Sequence, residues 1–239
     1  MSRLVTGLLM LLATVAMAAP AQAQDHGFSV NFGYFAPRGE DGRVEGDVLN
    51  ANRCIDTAFL CEPLLFDVDD FGGFSFGGEY LIGIGKYLEG GVGVGYYQGS
   101  TSSIYEFVTR PDGSEIEQDL KLRVVPITGT LKFVPTGRDA RFQPYIGAGI
   151  AVLNWKYSET GEFVDPVDSS IFRDSFSADG TEVGPVFFGG IRAPIGASTM
   201  IGGEVRYQSA DAELPEDEFL GNRLDLGGLS FLGTLTWRF

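Results

Sequence analysis

The C-terminal segment constrains this chain more than any other stretch. Phe231, Gly233, Leu235, Trp237 and Phe239 take every second place, with Ser230, Thr234, Thr236 and Arg238 between them and Leu232 the one apolar exception. A period of two with a single apolar face is a β-strand, because successive side chains of an extended chain point to opposite sides. The alternation recurs upstream. Phe28, Val30, Phe32 and Tyr34 alternate with Ser29, Asn31 and Gly33. Phe74, Phe76, Tyr80 and Ile82 alternate with Ser75, Gly77 and Glu79. Leu88, Val92, Val94 and Tyr96 alternate with Glu89, Gly91, Gly93 and Gly95. Leu120, Leu122 and Val124 flank Lys121 and Arg123, after which the apolar phase shifts to Ile127, Leu131 and Phe133. Pro126 stands at the shift and reads as a bulge. Residues 142–157, 183–195 and 200–208 supply three more strands, the phase of 142–157 being ambiguous.

Eight strands are therefore predicted, at 27–36, 71–83, 87–104, 116–134, 142–158, 182–195, 199–209 and 225–239. The connections between them run alternately longer and shorter. That is the pattern of a transmembrane barrel with short turns at one end and longer loops at the other. No later apolar stretch reaches the roughly 20 residues that a spanning helix needs. At the start, Arg3, the apolar run Leu8 to Ala19 and the small-x-small site Ala21-Gln22-Ala23 read as a cleavable export signal over residues 1–23. The predicted fold class is all-β, an eight-stranded antiparallel transmembrane β-barrel occupying residues 24–239.

Charge follows the same map. The chain carries 32 Asp+Glu against 17 Lys+Arg, an imbalance that excludes nucleic acid as a partner. The four presumed outer connections (36–70, 105–119, 159–182 and 210–223) hold 26 of the acids and 6 of the bases, so the excess negative charge gathers at one end. Strand charges are expected to face inward, since Lys or Arg toward lipid costs about 2–4 kcal/mol at the midplane. The expected lumen network is Glu79, Glu89, Lys121, Arg123, Lys132, Arg192, Glu204, Arg206 and Arg238, with a polar plug around Glu79, Arg123, Glu204 and Arg206. An eight-stranded barrel is just wide enough for side chains to fill. The network either holds the barrel shut or lines a narrow ion path. Glycines at 77, 91, 93 and 95 leave room beside the long side chains.

Chemistry-bearing patterns are sparse. The single histidine, His26, lies next to the cleavage site, which argues against acyl-transfer chemistry needing a base near neutral pH. Gly91-x-Gly93-x-Gly95 lies within a strand, without the helix that a phosphate-binding loop requires. No cofactor and no metal site is expected; Arg110-Pro111-Asp112-Gly113 reads as a turn rather than a calcium loop. The acidic outer residues Asp69, Asp70, Asp165, Asp168 and Glu216-Asp217-Glu218 suggest at most divalent bridges to an anionic surface. Cys54 and Cys61 lie close together in an exported chain and are expected to pair as a local disulfide.

The C-terminal LGTLTWRF and the Gly/aromatic strands resemble the small outer-membrane barrels of the OmpA, OmpX and OmpW type. Arg123-Val-Val-Pro-Ile-Thr-Gly-Thr-Leu and Gln143-Pro-Tyr-Ile-Gly-Ala-Gly-Ile are similar to the outer-membrane β-barrel domain family, in which a Pro-containing strand precedes a P-Y-x-G-x-G strand. The resemblance implies location in the bacterial outer membrane, amid lipid and lipopolysaccharide. It also implies that Phe231, Leu235, Trp237 and Phe239 are the signal read by the barrel-assembly machinery. A monomer is expected. Three functions compete: a non-enzymatic barrel serving envelope structure or narrow small-solute passage; an adhesion or ligand-binding protein acting through acidic, disulfide-pinned loops; and a lipid-modifying enzyme, disfavoured by the histidine count.

Overall fold

The computed structural model describes residues 26–54, 63–165, 168–215 and 217–239. Eight long strands form the frame: β1 (His26–Pro37), β2 (Gly73–Ile84), β3 (Leu88–Thr109), β4 (Glu115–Phe133), β5 (Gln143–Val164), β6 (Ile171–Pro194), β7 (Thr199–Gln208) and β8 (Gly228–Arg238). Each pairs antiparallel with the next in sequence. The ring then closes through β1 and β8, from Gly27↔Arg238 to Pro37↔Gly228. Through the lower part of the strands, closure leaves no edge with unpaired backbone groups, the condition for crossing a bilayer with strands. The two ends of the described chain meet at one rim, where His26 N donates to Phe239 O at 3.1 Å.

Outward-facing side chains form an uncharged belt. It contains Phe28, Phe32 and Tyr34 on β1, Phe74, Phe76 and Tyr80 on β2, Val92 and Val94 on β3, and Ile127, Leu131 and Phe133 on β4. Around the ring it continues through Ile146 and Ile150, Val183 and Phe187, Ile201 and Val205, and Phe231 and Trp237, all well exposed. On β4 the belt runs from Val125 to Phe133, close to the 9–11 residues that a tilted strand needs to cross hydrocarbon. Phe231, Leu235, Trp237 and Phe239 all lie on this face, and Leu232, the apolar exception, points inward and is buried.

Two sequence expectations change in β4. Even-numbered residues are buried or half-buried from Ile116 to Lys132, and every odd-numbered one from Glu115 to Phe133 except Val125 is exposed. The alternation never shifts phase. Register with β3 is the same on both sides of Pro126, with Val94↔Ile127 below and Tyr97↔Val124 above; the one irregularity lies between Ile104 and Thr109. Pro126 is thus not at a bulge. Lys121 and Arg123 point outward and are exposed, whereas Leu120, Leu122 and Val124 are buried inside. What inverts at Pro126 is the environment. Below it the strand is apolar outside and polar inside, as in lipid; above it the strand is polar outside and apolar inside, as in water.

The same inversion occurs on the neighbouring strands and explains a second difference. β3, β5 and β6 run well past their expected ends, so the connection at 110–114 is a short turn and only residues 165–170 separate β5 from β6. The excess outer chain is carried as strand rather than loop. β5 reads ambiguously because Ile146 and Ile150 face lipid while Leu153, Trp155 and Tyr157, in the opposite phase, face an aqueous-side core. Against the inner face of this four-strand extension pack the first and last outer connections. They contribute Val48, Leu49, Leu64, Val68 and Phe71 from one, and Ala212, Leu214, Phe219, Leu224 and Leu226 from the other. Each fully buried Leu, Val or Phe contributes about 1.5–3 kcal/mol.

Candidate functional site

The lumen is built at two heights. Near the rim that carries both chain ends, Glu89 on β3 is 2% exposed and meets three guanidinium groups. Arg192 on β6 donates to both its oxygens, at 2.6 and 2.7 Å; Arg238 on β8 donates at 2.9 Å; Arg138, from the turn after β4, at 3.3 Å. Gln143 Oε1 accepts from Arg192 at 3.0 Å and Arg238 at 3.1 Å, while its amide donates to the carbonyls of Arg138 and Ala140. Charges from across the ring thus converge on one carboxylate.

One layer further in, Glu79 on β2 pairs with Lys132 and accepts from Thr130 Oγ1 at 2.6 Å. Glu204 on β7 pairs with Arg206 at 2.7 Å and accepts from Tyr145 OH at 3.0 Å. Lys132 lies over the rings of Tyr145 and Phe188, and Arg206 over Phe188. Gly91 makes this layer possible, because a Cβ there would run into Glu79 Oε1 and Thr130 Oγ1. Above the layer lies a cavity of about 40 Å³ bordered by Asn31, Phe35, Glu79, Tyr97 and Arg206. That is room for a few waters at roughly 10–15 Å³ each.

The outer height is closed by chain. A short helix, α1 (Val48–Asn52), sits in the mouth with all five residues buried. Asp47 caps it, accepting from Leu49 N at 3.0 Å, and also takes two bonds from Arg43 at 2.7 and 2.9 Å and one from Asp225 N at 2.6 Å. Arg38 binds Asp225 at 2.8 Å and Ser209 at 2.9 Å, so the first and last outer connections are stitched together. On the far wall, Glu159 accepts from Asn52 Nδ2 at 2.7 Å and from Tyr157 OH at 2.8 Å. Burial pushes the Glu159 carboxyl above the ordinary carboxylate range, outweighing these two donors, which act to lower it.

Of the nine expected lumen charges, Glu79, Glu89, Lys132, Arg192, Glu204, Arg206 and Arg238 come together inside. Lys121 and Arg123 do not, and no polar plug includes Arg123. The reasoning that strand charges must avoid lipid holds only within the belt, and both residues lie beyond it. The chain's periodicity could not reveal Arg138, which comes from a turn, or the Arg43–Asp47 pair, which comes from a loop; the i,i+4 spacing of the latter is the one sequence sign of it. His26 lies at the rim, its Nδ1 2.7 Å from Tyr80 OH and its ring stacked on Tyr80 and Phe239. Asp70 closes a turn onto Asp67 N, and Asp168 accepts from Ser170 N. The described residues contain no cluster of three or more metal-ligating side chains. The export signal at 1–23, Cys61 of the expected disulfide and Glu216 lie outside the described residues.

Residues 7–239 match the family described as outer membrane protein beta-barrel domain. Among solved structures, the chain is similar to the outer membrane protein OprG from Pseudomonas aeruginosa, at 13% identity and a TM-score of 0.54, with 91% of this chain and 97% of that one covered. It is also similar to Neisserial surface protein A, at 11% identity and a TM-score of 0.46 (90% and 97% covered). Ail, the attachment invasion locus protein of Yersinia pestis, aligns at 15% identity and a TM-score of 0.42 (91% and 100% covered). No curated protein matches.

Proposed function

Since the chain belongs to the outer membrane protein β-barrel domain family and resides in the bacterial outer membrane, we propose that it is a sealed, non-enzymatic wall protein that supports the envelope rather than a passage for solutes. The reading rests on one observation: the lumen is filled twice, by the Glu89–arginine cluster at one rim and by α1 with its apolar surroundings at the other. Opening the inner layer would leave a carboxylate or a guanidinium unpaired in a narrow interior, at a cost of several kcal/mol. Opening the outer layer would expose the apolar core of the extension. Neither is a small fluctuation.

Planar-bilayer recording of the purified, detergent-folded chain tests this reading. No conductance steps are expected at any holding voltage, and sustained unitary openings would overturn it.

The binding reading has one observation in its favour. β4 to β6 end in a polar cleft, lined by Arg110, Glu115, Glu117, Glu162 and Arg173, that stands clear of the belt. In that reading the pairing of Cys54 with Cys61 pins the first outer connection. Cells displaying Glu117→Gln/Arg173→Gln should then lose surface binding that the parent chain supports; unchanged binding removes the reading.

A further inference from the structure

The two residues that fail to enter the lumen stand beside a third cation. Arg123 on β4 is directly opposite Lys156 on β5, and Lys121 is one outward position further along β4. All three are exposed. Like charges directly opposite one another on a sheet face destabilise it, so an arrangement of this kind needs an anion. The acidic positions nearest on this face answer the group only in part. Asp179 lies opposite Lys156 on its other side, and Asp119 is two places beyond Lys121, but Asp119 accepts from Ser102 Oγ at 2.7 Å. Among the described residues, none of the three cations has a carboxylate oxygen within 4.0 Å.

Their height narrows the identity of the anion. Ile127 and Val152 belong to the outward apolar belt, and the next outward position on each strand is Val125 or Asn154, followed by Arg123 or Lys156. The cations thus occupy the first charged level above hydrocarbon, on the side of the outer connections, where lipid headgroups lie. Outward-facing charge elsewhere at this end is mainly acidic, which makes three clustered bases harder to explain as general solubility. Arg presents a planar fork of donors and Lys a compact ammonium, a combination suited to phosphate oxygens.

We propose that Lys121, Arg123 and Lys156 form a binding site for a phosphate-bearing headgroup of an outer-leaflet lipid. The site lies on the outer wall and does not depend on whether the lumen conducts.

The test uses the full chain folded in detergent, with diphosphoryl lipid A, its dephosphorylated counterpart and inorganic phosphate as probes, read by native mass spectrometry. The parent chain is expected to retain diphosphoryl lipid A in preference to the dephosphorylated form. Lys121→Gln/Arg123→Gln/Lys156→Gln should weaken retention about a hundredfold. Arg141→Gln, an exposed base at the opposite rim, should leave retention unchanged, as loss of a base outside the proposed site requires; a heat-dependent gel shift confirms that each variant is folded. Equal retention by parent and triple variant would overturn the proposal, as would equal retention of the two lipids. Displacement of lipid A by an equal concentration of inorganic phosphate would overturn the assignment to a lipid.

Discussion

Glu89 is a single carboxylate serving three guanidinium groups and one glutamine-held arrangement around them. Removing it leaves Arg138, Arg192 and Arg238 facing one another in a narrow interior. Glu89→Ala should therefore cost about 3–5 kcal/mol of stability, read as a shift of the urea midpoint in detergent micelles. A cost below 1 kcal/mol would mean that water, not the carboxylate, satisfies the arginines. Glu159 makes a different prediction. Its acid form is favoured by burial, so its folded pKa exceeds the unfolded one. The stability it contributes is present below the ordinary carboxylate range and is lost as pH rises through the folded value. Hydrogen exchange of the amides at 48–52 should accelerate with rising pH beyond the intrinsic chemical dependence, and Glu159→Gln should remove that excess. An excess that survives the substitution would place the titrating group elsewhere.

At the level of the strand, β4 shows what a period of two can and cannot convey. Its alternation was legible, and so was the inward direction of Lys132 and the lipid exposure of Ile127, Leu131 and Phe133. In sequence, a change in which face is apolar looks the same as a change in which way residues point. Leu120, Leu122 and Val124 fill an interior just as Ile127 faces lipid, because the solvent outside the wall has changed while the chain has not. The inward and outward faces of the lower halves of β1, β2 and β3 and of β8 are legible in the sequence, since they lie within the belt where one environment applies; β8 begins at Gly228 rather than 225. The turn and loop donors Arg138, Arg43 and Asp47 carried no periodicity to read. Two substitutions separate the environments. Ile127→Arg should cost about 2–4 kcal/mol from lipid exposure, and Leu122→Ala about 2–5 kcal/mol from a cavity in the outer core, both read from unfolding midpoints. Arg123→Ile, outside the belt, should change stability by less than about 0.5 kcal/mol. A cost for Arg123→Ile comparable to that of Ile127→Arg would refute the boundary between them.

The whole molecule is one continuous sheet bent through two solvents. In lipid it is an inverted object, apolar outside and ion-paired inside; beyond the belt, half of its strands continue as an ordinary aqueous sheet with loops packed on its concave face. This construction packs the described parts of the first and last outer connections inside the extension and places the acidic outer residues on water, away from hydrocarbon. It also fixes a sharp level on β4 at which lipid gives way to water. A scan of nitroxide side chains at successive positions from 117 to 133, read for relaxation by oxygen and by a water-soluble metal complex, tests that claim most directly. Odd positions from 125 to 133 should respond to oxygen, odd positions from 117 to 123 to the aqueous complex, and even positions to neither. A jump of the responsive set from even to odd numbers at Pro126 would contradict the account.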